Sequence, residues 1–196
     1  SQELEITVEP GFEAFVAKAR RGEPDEREWS YIRKDGSRFP VLLSVTRLVD
    51  SQDNITGFLG IGCDITERKR TEEKLAESEN LLRSIVESEP ECVKLLAEDG
   101  TVLRMNPAGL AMIEADSPEQ VLGKCVYPLV HPQHRLAFKA LVESVFQGQS
   151  GTLEFEIVGI KGTQRWLETH AVALSNTKNE IVALLGVTRD ITQQKL

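Results

Sequence analysis

The sequence contains an internal repeat with a constant offset of 126 residues and no gap. The matched pairs include Phe12 and Phe138, Ala14 and Ala140, Val16 and Val142, Gly22 and Gly148, Glu28 and Glu154, Gly36 and Gly162, Ile55 and Ile181, Leu59 and Leu185, and Lys69 and Lys195. The triplet Asp64-Ile65-Thr66 recurs as Asp190-Ile191-Thr192. A period of this length suits a whole domain with its linker and is too long for a solenoid unit.

The repeat predicts the division of the chain into domains. Residues 1–65 correspond to the C-terminal half of a first domain, 66–89 to a linker helix and 90–196 to a complete second domain. The chain is therefore expected to begin inside its first domain. Three strands without their partners would expose a sheet edge. We expect this edge to pair with another chain or to pack against the linker helix.

The linker has the composition and spacing of an exposed helix. Asp64 and Glu67 have the spacing of a capping box, and the next helix breaker is Pro90. Leu75, Leu82 and Ile85 follow a three-four spacing that places them on one side. Such a helix is expected to pair with a copy of itself or with the sheet of a module.

The second copy predicts the order β-β-α-α-α-β-β-β. Strands are expected at 92–97, 101–105, 153–157, 164–174 and 181–190, and helices are expected to start after Asn106 and Ser117 and to run from 132 to 146. The Asp99-Gly100 pair predicts the first hairpin turn. This order gives an α+β fold in which helices pack on one face of an antiparallel five-stranded sheet.

Charge and cysteine content narrow the function classes. The net charge of −8 argues against binding to nucleic acid, which needs a basic face. The longest apolar run, 181–185, is far too short to cross a membrane, and no leader begins the sequence. Three cysteines without a CxxC pair argue against a disulfide framework or a zinc site and favour the cytoplasm.

The order of elements and several motifs resemble the PAS family. The motifs are the Asn-Pro helix start at Asn106, Leu122-Gly123-Lys124, His131-Pro132-Gln133-His134-Arg135, Lys34-Asp35-Gly36 and the closing Asp-Ile-Thr. The second copy covers 90–196, whereas the first matches the three closing strands and the helix before them. The resemblance implies a non-catalytic sensory or dimerisation module of a bacterial kinase, cyclase or transcription regulator.

The resemblance also implies how a signal would leave the module. The Asp-Ile-Thr ends join the sheet to output helices, so Asp64, Ile65, Thr66, Asp190, Ile191 and Thr192 are the predicted signal-transmission residues. Leu75, Leu82, Ile85 and Trp166 are the predicted contacts of a homodimer. An output domain outside the chain is the other implied partner.

The inner face of the second sheet is the predicted ligand site. On the strand 164–174 this face carries Leu167, Thr169, Ala171 and Ala173, whereas the first copy has Val41, Leu43 and Val45. Small residues leave room under the helices, and Thr169 and Thr188 could orient a bound ligand. The alternative is that Phe138 or Tyr127 fills the space. The predicted ligand residues are Tyr127, Phe138, Phe155, Thr169, Ala171 and Thr188.

Named cofactors have little support in the sequence. His131 and His134 lie at the start of the long helix, where haem-binding PAS proteins would need a histidine inside it. The stretch around Cys125 lacks the asparagine and arginine of flavin-adduct PAS proteins. The sequence therefore argues against haem and flavin and leaves the ligand unidentified. No metal site or catalytic residue is predicted.

Three hypotheses follow. In the first, a PAS sensor transmits ligand occupancy through its flanking helices at 64–67 and 190–193. In the second, an interaction module with a filled core holds two copies of a larger protein together. In the third, Cys125 with His131 or His134 forms the nucleophile and base of an enzyme, although a lone cysteine is more often a small buried hydrophobe.

Overall fold

The computed structural model describes residues 16–21 and 25–195. The chain divides into two compact units, with the division between residues 78 and 79. The repeat positions Phe12, Ala14 and Gly22 lie outside the described residues.

The first unit contains an antiparallel sheet of three strands. The strands are β1 (Asp25–Ile32), β2 (Arg38–Val49) and β3 (Ile55–Asp64), in the order β1-β2-β3. Val41, Leu43 and Val45 alternate along β2 and are buried, as period-two patterning requires. Leu43 and Val45 form a small cluster with Val16 and Ala19.

Helix α1 (Thr66–Ser88) follows β3 and buries none of its side chains. The predicted capping box is wrong in one part. Asp64 accepts hydrogen bonds from the backbone and hydroxyl of Thr66, but Glu67 forms an ion pair with Arg70. The helix begins one residue later than a box with Asp64 at the N-cap requires, so Glu67 is not in reach of that position.

The second unit contains the predicted five-stranded antiparallel sheet. The strands are β4 (Cys92–Leu96), β5 (Val102–Met105), β6 (Gly151–Val158), β7 (Gln164–Ser175) and β8 (Ile181–Asp190). Their order is β5-β4-β8-β7-β6. The core lies on one face of this sheet, which confirms the predicted α+β fold class.

The helices of the second unit are α2 (Pro107–Met112), α3 (Arg135–Phe146) and α4 (Thr192–Lys195). Asn106 caps α2, as predicted, because its side chain accepts a hydrogen bond from Gly109 N. The helix expected after Ser117 is wrong, since only a 3₁₀ turn forms over Pro118–Gln120. The backbone of 123–124 instead hydrogen-bonds to Val102, which takes the chain off the helical path. Likewise, 132–134 forms a 3₁₀ turn before α3.

The hairpin between β4 and β5 turns at the predicted Asp-Gly pair. Gly100 has φ of +84°, and an added Cβ would lie 2.6 Å from the Tyr127 ring. Both facts require glycine at this position. The carboxylate of Asp99 accepts a hydrogen bond from Thr101 N and closes the turn.

The repeat in the sequence is also a repeat in the backbone. The bounds of β6, β7 and β8 are those of β1, β2 and β3 moved by the same 126 residues. Asp53 and Asn179, which occupy the same position in the two copies, both have positive φ. The two closing sheets therefore share strand bounds and turn conformation.

No helix among residues 16–21 and 25–195 is both long enough and apolar enough to cross a bilayer.

Candidate functional site

A small cavity lies between the second sheet and its helices. Its volume is about 20 Å³, which is room for roughly one water molecule. Most of its lining is apolar, including Met105, Met112 and Phe155. Cys92, Lys94 and Thr188 also border it, and all three belong to the paired strands β4 and β8. The residues with polar groups therefore lie together on one wall, although the surface that faces the empty space is apolar.

The six predicted ligand residues divide into two groups. Phe138, Phe155 and Thr188 line the cavity. Thr169 and Ala171 are buried on the same sheet face but do not border the cavity. Tyr127 is half-buried and packs edge-on against Phe138, with ring centroids 6.1 Å apart.

The space under the small sheet residues is largely filled. Phe138 is 2% exposed, and its ring centroid lies 4.9 Å from that of Phe155. This is the arrangement of the alternative in which a large helix residue occupies the interior. A ligand larger than a water molecule would need these side chains to move.

A chain of hydrogen bonds crosses the inner face of the sheet. Lys94 Nζ donates to Thr188 Oγ1, and Thr188 donates to Thr169 Oγ1 at 2.7 Å. Thr169 in turn lies 3.4 Å from the carbonyl oxygen of Val187. The two threonines that the sequence presented as ligand contacts therefore hold each other and the lysine amine.

Lys94 is a buried ionisable group. It is 5% exposed, and burial lowers the pKa of its ammonium below the ordinary value of 10.5, while a charge on Cys92 would act in the opposite direction. Within the part of the chain that the structure describes, no carboxylate lies within ion-pairing distance of Nζ. Gly186, opposite Lys94 in the pairing of β4 with β8, leaves space for the long side chain.

The residue alternation along β4 does not predict the burial of Lys94. Cys92, Lys94 and Leu96 alternate with Val93 and Leu95, and only the first three are buried. Both sets contain apolar residues, so alternation alone does not say which set faces the core. A lysine usually indicates an exposed face, so Lys94 would have led to the wrong prediction that Val93 and Leu95 face the core.

The side chain of Asn106 forms hydrogen bonds with α1, β4 and α2 near the start of the second unit. Its Oδ1 accepts hydrogen bonds from Val93 N on β4 and Gly109 N on α2. Its Nδ2 lies within hydrogen-bond distance of the carbonyl oxygens of Val86, Glu89 and Glu91. Asn106 is 3% exposed. The end of α1 is thereby attached to the sheet through one buried side chain.

The second Asp-Ile-Thr segment joins β8 to α4 by a compact set of contacts. Asp190 accepts hydrogen bonds from the backbone and hydroxyl of Thr192 and pairs with Arg165. Partial burial opposes ionisation of Asp190, but these hydrogen bonds outweigh it and lower its pKa. Ile191 is 2% exposed, and Thr192 Oγ1 accepts a hydrogen bond from Trp166 N.

The first Asp-Ile-Thr segment repeats most of this geometry. Hydrogen bonds from Thr66 lower the pKa of Asp64, and Ile65 is buried. Ile65 N donates to Pro40 O, as Ile191 N donates to Trp166 O. All six predicted transmission residues therefore lie where a closing strand meets a helix.

Two family models match the chain. One, described as the PAS fold, matches residues 86–196, and the other, described as the PAS domain, matches residues 3–67. The first match alone covers more than half of the chain. The chain belongs to the PAS family.

A kinase is among the proteins whose sequences are similar to this PAS protein. Sporulation kinase A of Bacillus subtilis (strain 168) is 25% identical over 177 residues, which cover 87% of this chain and 27% of the kinase. The chain thus spans about a quarter of the length of that relative.

Solved structures agree on the fold. The PAS domain of an HTR-like protein from Haloarcula marismortui matches with a TM-score of 0.55 and 21% identity, covering 63% of this chain and 99% of that one. A domain of the sensory box sensor histidine kinase/response regulator from Geobacter sulfurreducens matches with a TM-score of 0.50 and 21% identity, covering 59% and 96%.

The predicted dimer residues of the PAS chain lie in two settings. Leu75, Leu82 and Ile85 on α1 are 60%, 62% and 54% exposed. Trp166 is half-buried against the His134 ring, 5.2 Å away between centroids, and under Lys195 Nζ at 5.4 Å. The α1 residues are thus available to a partner, and Trp166 is partly covered by its own unit.

The residues of the enzyme hypothesis make separate contacts. Cys125 Sγ lies 3.9 Å from the carbonyl oxygen of Asp99, and its side chain is exposed. His134 lies beside Gln133 and Trp166. His131 lies beside His134, with ring centroids 6.4 Å apart. Among residues 16–21 and 25–195, no hydrogen bond joins Cys125 to either histidine.

Proposed function

We propose that the second PAS domain is a sensory module that binds a small molecule in the cavity bordered by Lys94 and Thr188. The buried amine without a carboxylate partner carries this proposal. Burial of an uncompensated polar group costs free energy, so its presence in a core favours a role beyond packing. Haem and flavin are not part of the proposal.

The signal would leave the domain through its two ends. Asn106 attaches the sheet to the end of α1, and Asp190 with Thr192 attaches it to α4. A ligand that shifts β4 or β8 would change both attachments, because Cys92 and Lys94 on β4 pair with Thr188 and Gly186 on β8. A ligand can bias the two states only by binding one of them more tightly.

The parent protein is proposed to be a cytoplasmic signal-transduction histidine kinase that works as a homodimer. The likeness to sporulation kinase A supports the kinase output, which would lie outside this segment. The exposed Leu75, Leu82 and Ile85 support pairing of two α1 helices. The segment itself is proposed to be non-catalytic, and Cys125→Ala is expected to leave the parent kinase activity unchanged.

Native mass spectrometry of freshly purified protein tests the sensory function. The expected result is a stoichiometric extra mass that disappears on denaturation. Bare protein seen only at the dimer mass would count against it. The same measurement reports the oligomeric state, and a monomer at high concentration would contradict α1 pairing.

A second candidate is a ligand-free interaction module. The small size of the cavity favours it, since room for one water molecule is what a filled core would show. Spin labels at Glu73→Cys, in a chain with Cys63→Ser and Cys125→Ser, separate the two functions. The sensory function predicts that the distance between labels on paired α1 helices changes with ligand, and the interaction module predicts a constant distance.

A further inference from the structure

The core of the second unit contains the amine of Lys94, and the described residues give it no carboxylate partner. Lys94 reaches the cavity from β4 and is 5% exposed. Its only described hydrogen-bond acceptor is the hydroxyl of Thr188, whose other hydrogen bond goes to Thr169. Neutral hydroxyls solvate an ammonium group less well than a carboxylate does. Lys94 is therefore a hydrogen-bond donor whose described acceptor is a hydroxyl and not a carboxylate.

The residues with polar groups lie on one wall of the cavity, although the surface that faces its empty space is apolar. Lys94, Thr188 and Cys92 occupy the wall formed by β4 and β8. The remaining lining includes the thioethers of Met105 and Met112. Methionine is unbranched and repacks readily, so Met105, opposite Lys94 in the pairing of β4 with β5, and Met112 can move to enlarge the cavity. Once enlarged, the cavity would suit a molecule with an apolar body and one polar head that reaches Lys94.

We propose that the cavity binds a small monocarboxylic acid, with its carboxylate on Lys94 and its apolar body against the apolar lining that Met105 and Met112 help to form. This inference rests on the proposed sensory function and names its ligand class. Phosphate or sulfate would need more donors than the wall provides, since each carries more oxygens to satisfy. A carboxylate accepts from the Lys94 amine, which has hydrogens beyond the one it donates to Thr188, whereas the Thr188 hydroxyl already donates its hydrogen to Thr169.

Charge compensation favours an acid as well. Burial lowers the pKa of the Lys94 ammonium, and a carboxylate beside it would offset this effect by forming an ion pair with the ammonium. The resulting charge-assisted hydrogen bond is about twice as strong as one between neutral groups.

Calorimetric titration with butanoate, butanamide and 1-butanol tests the proposal on the full chain. The three probes share one body and differ in the head group. We expect butanoate to bind the wild-type chain at least tenfold more tightly than butanamide does. Lys94→Met should abolish this preference. Lys178→Met, which removes an exposed lysine of the same unit, should leave it unchanged.

The outcomes distinguish this proposal from the sensory function itself. Equal affinity for butanoate and butanamide, or unchanged butanoate binding by Lys94→Met, would overturn the carboxylate assignment and leave a ligand cavity in place. If none of the three probes binds, the carboxylate assignment falls, and bare protein in native mass spectrometry would then remove the sensory function too. If Lys94→Met does not fold, the comparison of butanoate with butanamide on the wild-type chain decides alone.

Discussion

The two closing sheets of the chain have the same backbone and different inner faces. Strands β1–β3 and β6–β8 share bounds and turn conformations at the repeat offset. Leu43 of the first sheet corresponds to Thr169 of the second, and Gly62 corresponds to Thr188. The first face is an apolar wall, whereas the second carries a hydroxyl pair that holds a buried amine.

This difference shows which residues fix the fold and which fix the site. Strand register depends on alternation and on the turns, and both copies keep these features. Differences at single inner positions leave the register unchanged, and they replace apolar packing contacts with polar groups such as the hydroxyls of Thr169 and Thr188. The second unit also contains the hairpin of β4 and β5, and Lys94 comes from β4.

The largest effect is expected from a substitution that removes the attachment of the hairpin formed by β4 and β5. Asn106→Ala should lower the free energy of unfolding of the second unit by about 2–4 kcal/mol, because it deletes buried hydrogen bonds to β4, α1 and α2. Urea unfolding can be followed by Trp166 fluorescence in a Trp29→Phe background, since each unit has one tryptophan. Asn176→Ala, in an exposed loop, is the control and should cost much less. Equal losses would show that the closing strands sustain the unit without the hairpin's attachment.

The next effect concerns the amine that distinguishes the second face. Lys94→Met should raise the free energy of unfolding at neutral pH by about 1–3 kcal/mol, because an apolar side chain of similar size replaces a poorly compensated amine. Folding lowers the Lys94 pKa below 10.5, so the unfolded chain binds more protons in the window beneath that value. The stability of the wild type relative to Lys94→Met should therefore rise with pH up to about 10.5.

This pH dependence is measured by urea unfolding at several pH values from neutral upward. Cys92, the other titratable group beside Lys94, is present in both proteins. Lys178→Met should run parallel to the wild type. Parallel curves for Lys94→Met as well would mean that the amine keeps its ordinary pKa.

A smaller effect tests whether the hydroxyl pair and the amine act as a unit. Thr188→Val should cost about 1–2 kcal/mol in the wild type, because it removes the acceptor of Lys94 and the partner of Thr169. In the Lys94→Met background the cost should be smaller. The difference, obtained from a double-mutant cycle, is the coupling between the two side chains. Additive effects of the two substitutions would show that Lys94 and Thr188 contribute to stability independently.

The smallest effect compares the two Asp-Ile-Thr segments. Thr192 Oγ1 accepts a hydrogen bond from Trp166 N, whereas the corresponding position in the first copy is Pro40, which has no N–H. Thr192→Val should therefore cost about 0.5–1 kcal/mol more than Thr66→Val. Trp166 and Trp29 fluorescence report the two units in turn. Equal costs would mean that the extra hydrogen bond contributes nothing.

The sequence by itself determined the fold class, the bounds of the closing strands of the second unit to within two residues, and the Asn106 cap. These features depend on local signals: alternation, turn residues and the capping preference of asparagine. The constant offset of the repeat also related each position of one sheet to a position of the other.

The tertiary structure alone decided the chemistry of the site. Alternation placed Thr169 and Thr188 on one face, but it could not show that Lys94 on β4 would meet Thr188 on β8. It also could not show that Phe138 would pack on Phe155 and leave so small a cavity. These contacts join residues far apart in the chain, and their geometry depends on how all the elements pack together.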